Sequence, residues 1–234
     1  MTIFVCMDDT DNLNSRGTGR LARAVAAELK KTYPVYGVTR HQLYVHNDIP
    51  YTSHNSCAVI HLDIEEQKFI DDIFEIVRIE MLKDFIEGSD PGLAVAHENQ
   101  ITPALIAFGK DAKGTVLTQE KARILAKNLN IRLEGLGGTE DGVIGSMAGI
   151  GLAFAGNDGR FLLKGSIREL LGPQPIEKFI NAGIDGVYTL DGRQLNEGII
   201  LNTQNKSVKP CPITGKAILF VEEVDGMFHA VKRN

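Results

Sequence analysis

The sequence predicts a mixed α/β (α+β) fold, and three observations carry that expectation. Over roughly the first hundred residues, short apolar runs and amphipathic stretches follow the order β-α-β-β-α-β, the ferredoxin-like split pattern. A glycine-rich α/β segment follows, centred on Gly135–Gly145. After Gly172-Pro173-Gln174-Pro175 short strand-like runs alternate with turn residues, as in a small β-rich C-terminal module. The expected division is therefore a core over residues 1–171 and a module over 172–234.

The elements are justified in order. Thr2–Met7 is a short apolar run stopped by the turn formers Asp8-Asp9-Thr10-Asp11-Asn12, which reads as a buried strand. Thr18–Lys31 reads as a helix, with Leu21, Val25, Ala26 and Leu29 on one face and Ser15 or Thr18 available as a cap. Tyr36–Val45 and Cys57–Leu62 are strands joined by the polar loop His46–Asn55. Ile64–Ile86 is an amphipathic helix that turns Ile64, Phe69, Ile73, Ile76, Ile79, Leu82 and Ile86 inward and its acids outward. Leu93–Ala96 is a strand after the breaker Gly88–Gly92. Pro103–Lys110 and Gln119–Leu129 are helices, Ile131–Glu134 a short strand, Val143–Phe154 an apolar helix and Phe161–Lys164 a strand. The final module holds Val187–Leu190, Gly198–Leu201, Ala217–Val224 and Met227–Val231.

Composition narrows the function classes. The chain has 234 residues, 43% hydrophobic and 24% charged, which excludes disorder as the main state. No apolar run approaches the roughly 18 residues of a membrane span. The start Met1–Cys6 lacks the basic segment and cleavage site of a signal peptide, so a cytoplasmic protein is expected. Cys6, Cys57 and Cys211 are scattered and support neither a disulfide framework nor a zinc ribbon. Residues 61–100, with three basic and eleven acidic groups, supply all of the net charge of −5, the rest of the chain being close to neutral; that is the solvent face of one helix. The balance disfavours direct binding of nucleic acid, which needs phosphate-neutralising Lys and Arg.

Chemistry concentrates in four places. Three carboxylates in four residues, Asp8, Asp9 and Asp11, repel one another at a strand end. Solvent, an elevated pKa or a divalent cation relieves the repulsion. Such a site, facing a helix start, suits Mg²⁺ and phosphates; an acidic capping turn is the alternative. Gly17, Thr18, Gly19 and Arg20 surround the next helix start, with Arg16 beside them, where backbone N–H groups and arginine can meet an anion. Gly137, Gly138, Asp141, Gly142 and Gly145 form a second candidate cradle, or serve tight packing of a Gly- and Ala-rich helix. The loop residues Asn47, Pro50, Tyr51, Thr52, His54 and Asn55 are unusually polar and suit contact with a substrate. His41, His46, His54 and His61 lie close in sequence without a zinc spacing.

Together these segments carry a resemblance. Val5-Cys6-Met7-Asp8-Asp9-Thr10-Asp11 resembles the G-I-D-D-T-D-S opening of the archaeal agmatidine synthetases, which modify the wobble cytidine of an isoleucine tRNA. Asn47-Asp48-Ile49-Pro50-Tyr51-Thr52 is similar to that family's N-P-x-I-P-Y region, followed by Asn55-Ser56-Cys57-Ala58-Val59. Asp90-Pro91-Gly92 is similar to its N-P-G, and Gly142–Gly151 to its glycine- and alanine-rich helix motif. The resemblance implies an ATP-using core with Mg²⁺ held by Asp8, Asp9 and Asp11, and phosphates against Gly17–Arg20 and Gly137–Gly145. It also implies phosphoryl or nucleotidyl transfer, with Thr18 as the candidate for the threonine that the family phosphorylates. Asp9 or Asp11 is the alternative general base. The family reads R-G-M-C-T-T-Y-L where this chain has Arg16-Gly17-Thr18-Gly19-Arg20-Leu21, two residues shorter. The archaeal enzymes add an OB-fold and a zinc ribbon that grip tRNA. This chain, with Cys211 its sole cysteine after Cys57, is expected to keep the ATP-using core and act on a small-molecule acceptor. The alternatives are a non-catalytic nucleotide- or metabolite-binding protein, and a tRNA-modifying enzyme whose RNA grip comes from a partner.

Overall fold

The structure, a computed structural model, describes residues 2–15, 17–52, 54–202 and 207–233. Arg16 and Ser53, which belong to two of the sequence motifs, lie outside them. The chain divides into Met1–Ala155 and Gly156–Asn234.

In the first unit the order is β1 (Ile3–Asp8), α1 (Thr18–Leu29), β2 (Val35–Gln42), β3 (Ser56–Leu62), α2 (Ile70–Lys83), β4 (Gly92–His97), α3 (Pro103–Asp111), α4 (Gln119–Leu129), β5 (Arg132–Gly135) and α5 (Gly142–Ala155). The strands run β5-β4-β1-β3-β2, antiparallel at each of these pairings. The β4-β1-β3-β2 portion is the expected split β-α-β arrangement, and β5 extends it past β4. As a result β1 is central, paired through Cys6↔Val59 on one side and Cys6↔Ala94 on the other. The acidic residues that follow it leave from the middle of the sheet rather than an edge.

Strand alternation assigns the faces. Phe4, Cys6, Cys57, Val59, Ala94 and Ala96 pack with Leu105, Val143, Met147 and Ile150 of α3 and α5. Ile3, Val5 and Met7, fully buried, point to the opposite face, where α1 packs on β2 and β3 and α2 on β4. The helix α5 lies under β1, β3 and β4 because its glycines let it approach the sheet closely. A Cβ at Gly149 would stand 2.4 Å from Cys6 Sγ and 2.6 Å from Cys57 Sγ. Both thiols are free and buried, and burial, then the neighbouring Cys57, pushes the Cys6 thiol up.

Three expectations need correction. The long helix expected over Ile64–Ile86 is shorter: Gln67–Phe69 form a 3-10 turn and α2 starts at Ile70. Its inward face is Ile70, Ile73, Phe74, Val77 and Met81, whereas Ile79 and Leu82 are exposed. So many isoleucines permit two stripes at helical spacing, and packing against the sheet selects one. Its acids do face solvent, with Asp71 and Glu75 paired to Arg132. The second correction concerns the cap of α1, which is Gly17 without any side-chain bond. Ser15 Oγ instead accepts from the Asn12 amide at 2.8 Å. Thirdly, Gly172–Pro175 is no linker: it is a strand pairing with Ile199–Asn202, so the chain divides earlier, at Ala155/Gly156.

The second unit contains β6 (Arg160–Lys164), β7 (Gly172–Pro175), α6 (Ile176–Asn181), β8 (Gly186–Thr189), β9 (Gln194–Leu195), β10 (Ile199–Asn202), β11 (Cys211–Ile213), β12 (Lys216–Val224) and β13 (Met227–Val231). Its sheet runs β7-β10-β13-β12-β8-β9, with β11 beside β12. Ile176, Phe179, Val187, Ile200, Leu219 and Val221 form its core. Among the described residues, no helix is long and apolar enough to cross a membrane.

Candidate active site

A cavity of about 360 Å³ opens where β1 ends, within the first unit. Three backbone features build it. Asp9 takes a left-handed conformation, φ 52°, which aspartate tolerates better than most side chains and which turns the chain out of the strand. The start of α5 is brought against the sheet by two glycines: a Cβ on Gly92 would lie 2.1 Å from the carbonyl carbon of Gly142, and the Gly142 amide donates to Asp90 O at 2.9 Å. The third is Gly145, where a Cβ would sit 1.8 Å from Asp8 Oδ2, so the Asp8 carboxyl occupies the space a side chain would need.

The lining carries Asp8, Asp9, Asp11, Asp48 and Asp141, with His54, and no Lys or Arg among the described residues. Burial, then the neighbouring Asp9, holds the Asp8 carboxyl well above the usual carboxylate range. Asp9 is pushed up to about 6 by burial first, then by Asp90, Asp11 and Asp141. Asp9 thus retains its proton in the folded state at pH values where the unfolded chain has lost it. Its stability contribution is full below about pH 4 and falls as pH rises through about 6. Asp9→Asn is accordingly expected to flatten the loss of stability between those values. The effect is on the order of 1–2 kcal/mol after allowing for solvent screening of a partly exposed group. Urea unfolding at pH 4.5 and 7 checks this; an unchanged difference between the two pH values overturns it.

The lining also carries the apolar side chains of Leu43, Ile49, Val116, Leu117 and Ile144. A second cavity, of about 350 Å³, shares Asp9, Asp11, Pro50, Tyr51 and Thr52 and adds Asn12, Leu13, Asn14, Gly88 and Asp90. Asp9 and Asp11, with Pro50, Tyr51 and Thr52, therefore border both chambers.

Several of the residues singled out in the sequence meet here. Asp8, Asp9, Asp11, Thr18, Asp141, Gly145, Pro50, Tyr51, Thr52, His54 and Asn55 line the main cavity. Asn47 does not, and Gly17, Gly19 and Arg20 do not; that turn reaches the cavity through Thr18. Gly137, Gly138 and Gly142 are absent from the lining as well. Their small size serves packing: a Cβ would meet Phe85 at Gly137, the Asp90 carboxylate at Gly138 and Gly92 at Gly142. The three aspartates do not assemble as one ligand set either. No group of three His, Cys, Asp or Glu side chains among the described residues is arranged to hold a metal ion. Asp11 is engaged elsewhere, accepting from Thr18 Oγ1 at 3.3 Å and Thr52 Oγ1 at 3.4 Å. His41 and His61 are buried, each 2.8 Å from Thr39 Oγ1.

The connection between α3 and α4, Ala112–Gln119, is absent from the candidates the sequence offers, although it supplies one wall. A signal is present: Thr115-Val116-Leu117-Thr118 keeps two apolar residues in a polar connection, and Val116 is 40% exposed. Gln119 Nε2 donates to Asp141 Oδ1 and to Thr139 O, both at 2.7 Å, tying this wall to the glycine-rich loop. Asp90, legible in the sequence only as part of a motif, holds the same loop through the Thr139 amide.

No protein-family model matches the chain, and no curated protein matches it. Solved structures do. Apo TiaS, the agmatidine synthetase of an isoleucine tRNA, is 20% identical with a TM-score of 0.55, over 64% of this chain and 35% of that one. The complex of TiaS with its isoleucine tRNA and ATP is 20% identical with a TM-score of 0.56, over 64% and 36%. A tRNA fluorescent labeling enzyme is 21% identical with a TM-score of 0.56, over the same shares. The chain thus spans about a third of the length of the proteins it matches. At this identity the likeness establishes architecture: the chain carries the fold of a core portion of the tRNA agmatidine synthetase TiaS.

Proposed function

We propose that this protein is an ATP- and Mg²⁺-dependent phosphoryl- or nucleotidyl-transferring enzyme acting on a small-molecule acceptor. The observation that carries the reading is the make-up of the main cavity, whose lining joins aspartate and hydroxyl groups to apolar side chains. An aspartate-rich lining without a Lys or Arg among the described residues offers no positive charge to a triphosphate, so a nucleotide is expected to enter with its charge neutralised by cations. Mg²⁺ is usually held by one or two carboxylates together with substrate phosphates and water rather than by a protein cage. Asp8 and Asp9, both in the lining, are the residues that would hold it. Bound Mg²⁺ supplies neutralisation of phosphate charge. The apolar wall of Leu43, Val116 and Leu117 suits a nucleobase, and TiaS, whose fold is shared, was solved with ATP.

The chain's own groups then position the transfer. Thr18 Oγ1 donates to Asp11, which places an acceptor for its proton at hydrogen-bond distance. Thr18 Oγ1 attacks the γ-phosphorus, the bond from that phosphorus to the bridging oxygen breaks, ADP leaves and the hydroxyl proton passes to Asp11. The second chamber, lined by Asp9, Asp11 and Asp90 beside Tyr51, suits the binding of a cationic amine. TiaS was also solved with an ATP analogue, tRNA and agmatine. An acidic lining is a poor surface for a phosphodiester backbone, which favours the small acceptor over RNA.

The test is nucleotide consumption by the purified full chain with ATP and Mg²⁺, with and without agmatine as the amine probe, and with the metal chelated. Mg²⁺-dependent ADP or AMP formation that chelation abolishes is expected. Absence of both binding and turnover overturns the proposal. One observation favours a non-catalytic nucleotide-binding reading instead: Thr18 is only 7% exposed. That reading expects saturable ATP binding without product in the same experiment.

A further inference from the structure

Thr10 sits between two aspartates of the acidic turn, and neither cavity is lined by it. Its side chain is buried, and its Oγ1 donates to Thr18 Oγ1 at 3.0 Å. A hydroxyl has one proton to donate and two lone pairs. In the contact between Thr18 and Asp11 the hydroxyl of Thr18 donates to Oδ1 at 3.3 Å, which uses its one proton. Thr18 has no second proton, and the remaining contact must therefore be donated by Thr10. The chain Thr10→Thr18→Asp11 runs in one direction and ends on a carboxyl group whose other oxygen accepts from Thr52 Oγ1.

We propose that Thr10 is a positioning residue: by donating to Thr18 Oγ1 it fixes the rotation of that hydroxyl, so that the proton points at Asp11 and a lone pair faces the cavity. This deepens the reading of Thr18 as the transfer group and rests on it. Without the donation the Thr18 hydroxyl turns freely between Asp11 and other acceptors. The aligned arrangement is then populated for a smaller part of the time, which lowers the rate of transfer and leaves nucleotide affinity untouched. Thr10 lines neither cavity and acts through Thr18 alone, by the hydrogen bond that orients its hydroxyl.

The experiment compares the wild-type chain with Thr10→Val, which keeps the shape and removes the donor, and Thr10→Ser, which restores it. Each receives ATP labelled at the γ-phosphate with Mg²⁺; nucleotide consumption and label on the protein are followed, and melting temperature is recorded alongside. Thr10→Val is expected to lower kcat about tenfold, the worth of one oriented hydrogen bond, with KM for ATP changed by less than about twofold. Thr10→Ser is expected to recover most of the rate. Thr10→Ala replaces Thr10→Val if the latter does not fold. Equal rates in wild type and Thr10→Val overturn the role of Thr10 alone. Equal losses in Thr10→Val and Thr10→Ser, or a rise in KM alone, overturn it in favour of packing. A folded wild type without turnover overturns this inference together with the reading it rests on.

Discussion

Asp8→Asn is expected to raise the melting temperature at pH 7.5 by several degrees while lowering Mg²⁺-dependent nucleotide turnover by about a hundredfold or more. The two effects have one cause. Asp8 lies on the α5 face of the central strand, buried, with its carboxyl against Gly145 and with Asp9 and Asp11 nearby. Burial, then the charge of Asp9, raises its pKa, so the folded state favours the protonated form. The stability linked to this group is complete at pH values below the unfolded carboxylate pKa and is lost as pH rises through the folded one. Asparagine keeps the shape and does not ionise, so the gain over wild type grows with pH and is small near pH 4. The same substitution removes a hard oxygen ligand where a metal–nucleotide complex would be neutralised. Thermal unfolding at pH 4 and 7.5 with a turnover assay checks both halves. A variant that is less stable than wild type at pH 7.5 by more than at pH 4 contradicts the burial argument.

Gly145→Ala is the second large effect. The added methyl would stand 1.8 Å from Asp8 Oδ2 and 3.0 Å from Leu43 Cδ1, so the carboxyl or the helix has to move. Overpacking of this kind costs about 1–3 kcal/mol, and here the displaced group is the candidate metal ligand. A loss of stability in that range is expected, with loss of ATP-dependent turnover larger than the stability change explains. Gly114→Ala is the control, because a Cβ there meets nothing within 4 Å. It is expected to leave turnover at the wild-type level and stability within about 0.5 kcal/mol. Denaturant unfolding and the nucleotide assay on both variants separate the outcomes, and a Gly145→Ala protein with wild-type turnover overturns the placement of Asp8.

Much of the core fold is legible because its signals are local. The apolar run before the acidic turn, the periodic face of Thr18–Lys31, the helical stretch Gln119–Leu129 and the two strands flanking a polar loop each depend on neighbours in the chain. Their order alone implies the split β-α-β topology, and β4-β1-β3-β2 follows. The face of α2 is not legible, for a related reason: with Ile70, Ile73, Ile76 and Ile79 in one helix, spacing leaves the inward stripe ambiguous. Packing against α1, β4 and β5 resolves it. The second unit is legible as β-rich, but its start is not, since Gly172-Pro173-Gln174-Pro175 has the composition of a linker and the pairing of a strand.

For the site, the sequence by itself determined which residue types gather: the aspartates after the first strand, the threonine at the next helix, the polar loop at 46–55 and the glycines before the apolar helix. Tertiary structure decided their tasks. Glycines look alike in sequence whether they cradle an anion or admit a neighbour, and only a measured distance from Gly145 to Asp8, or from Gly138 to Asp90, separates the two uses. Asp8, Asp9 and Asp11 look equivalent until strand alternation buries the first. The left-handed turn then points the second toward Asp90 and Asp141, and two threonines engage the third. The wall at Ala112–Gln119 carries no chemistry of its own and reaches the cavity because α3 and α4 both pack on α5. Local periodicity is a property of adjacent residues, whereas the directions of side chains from five separate segments are fixed by the way the sheet and α5 close on each other.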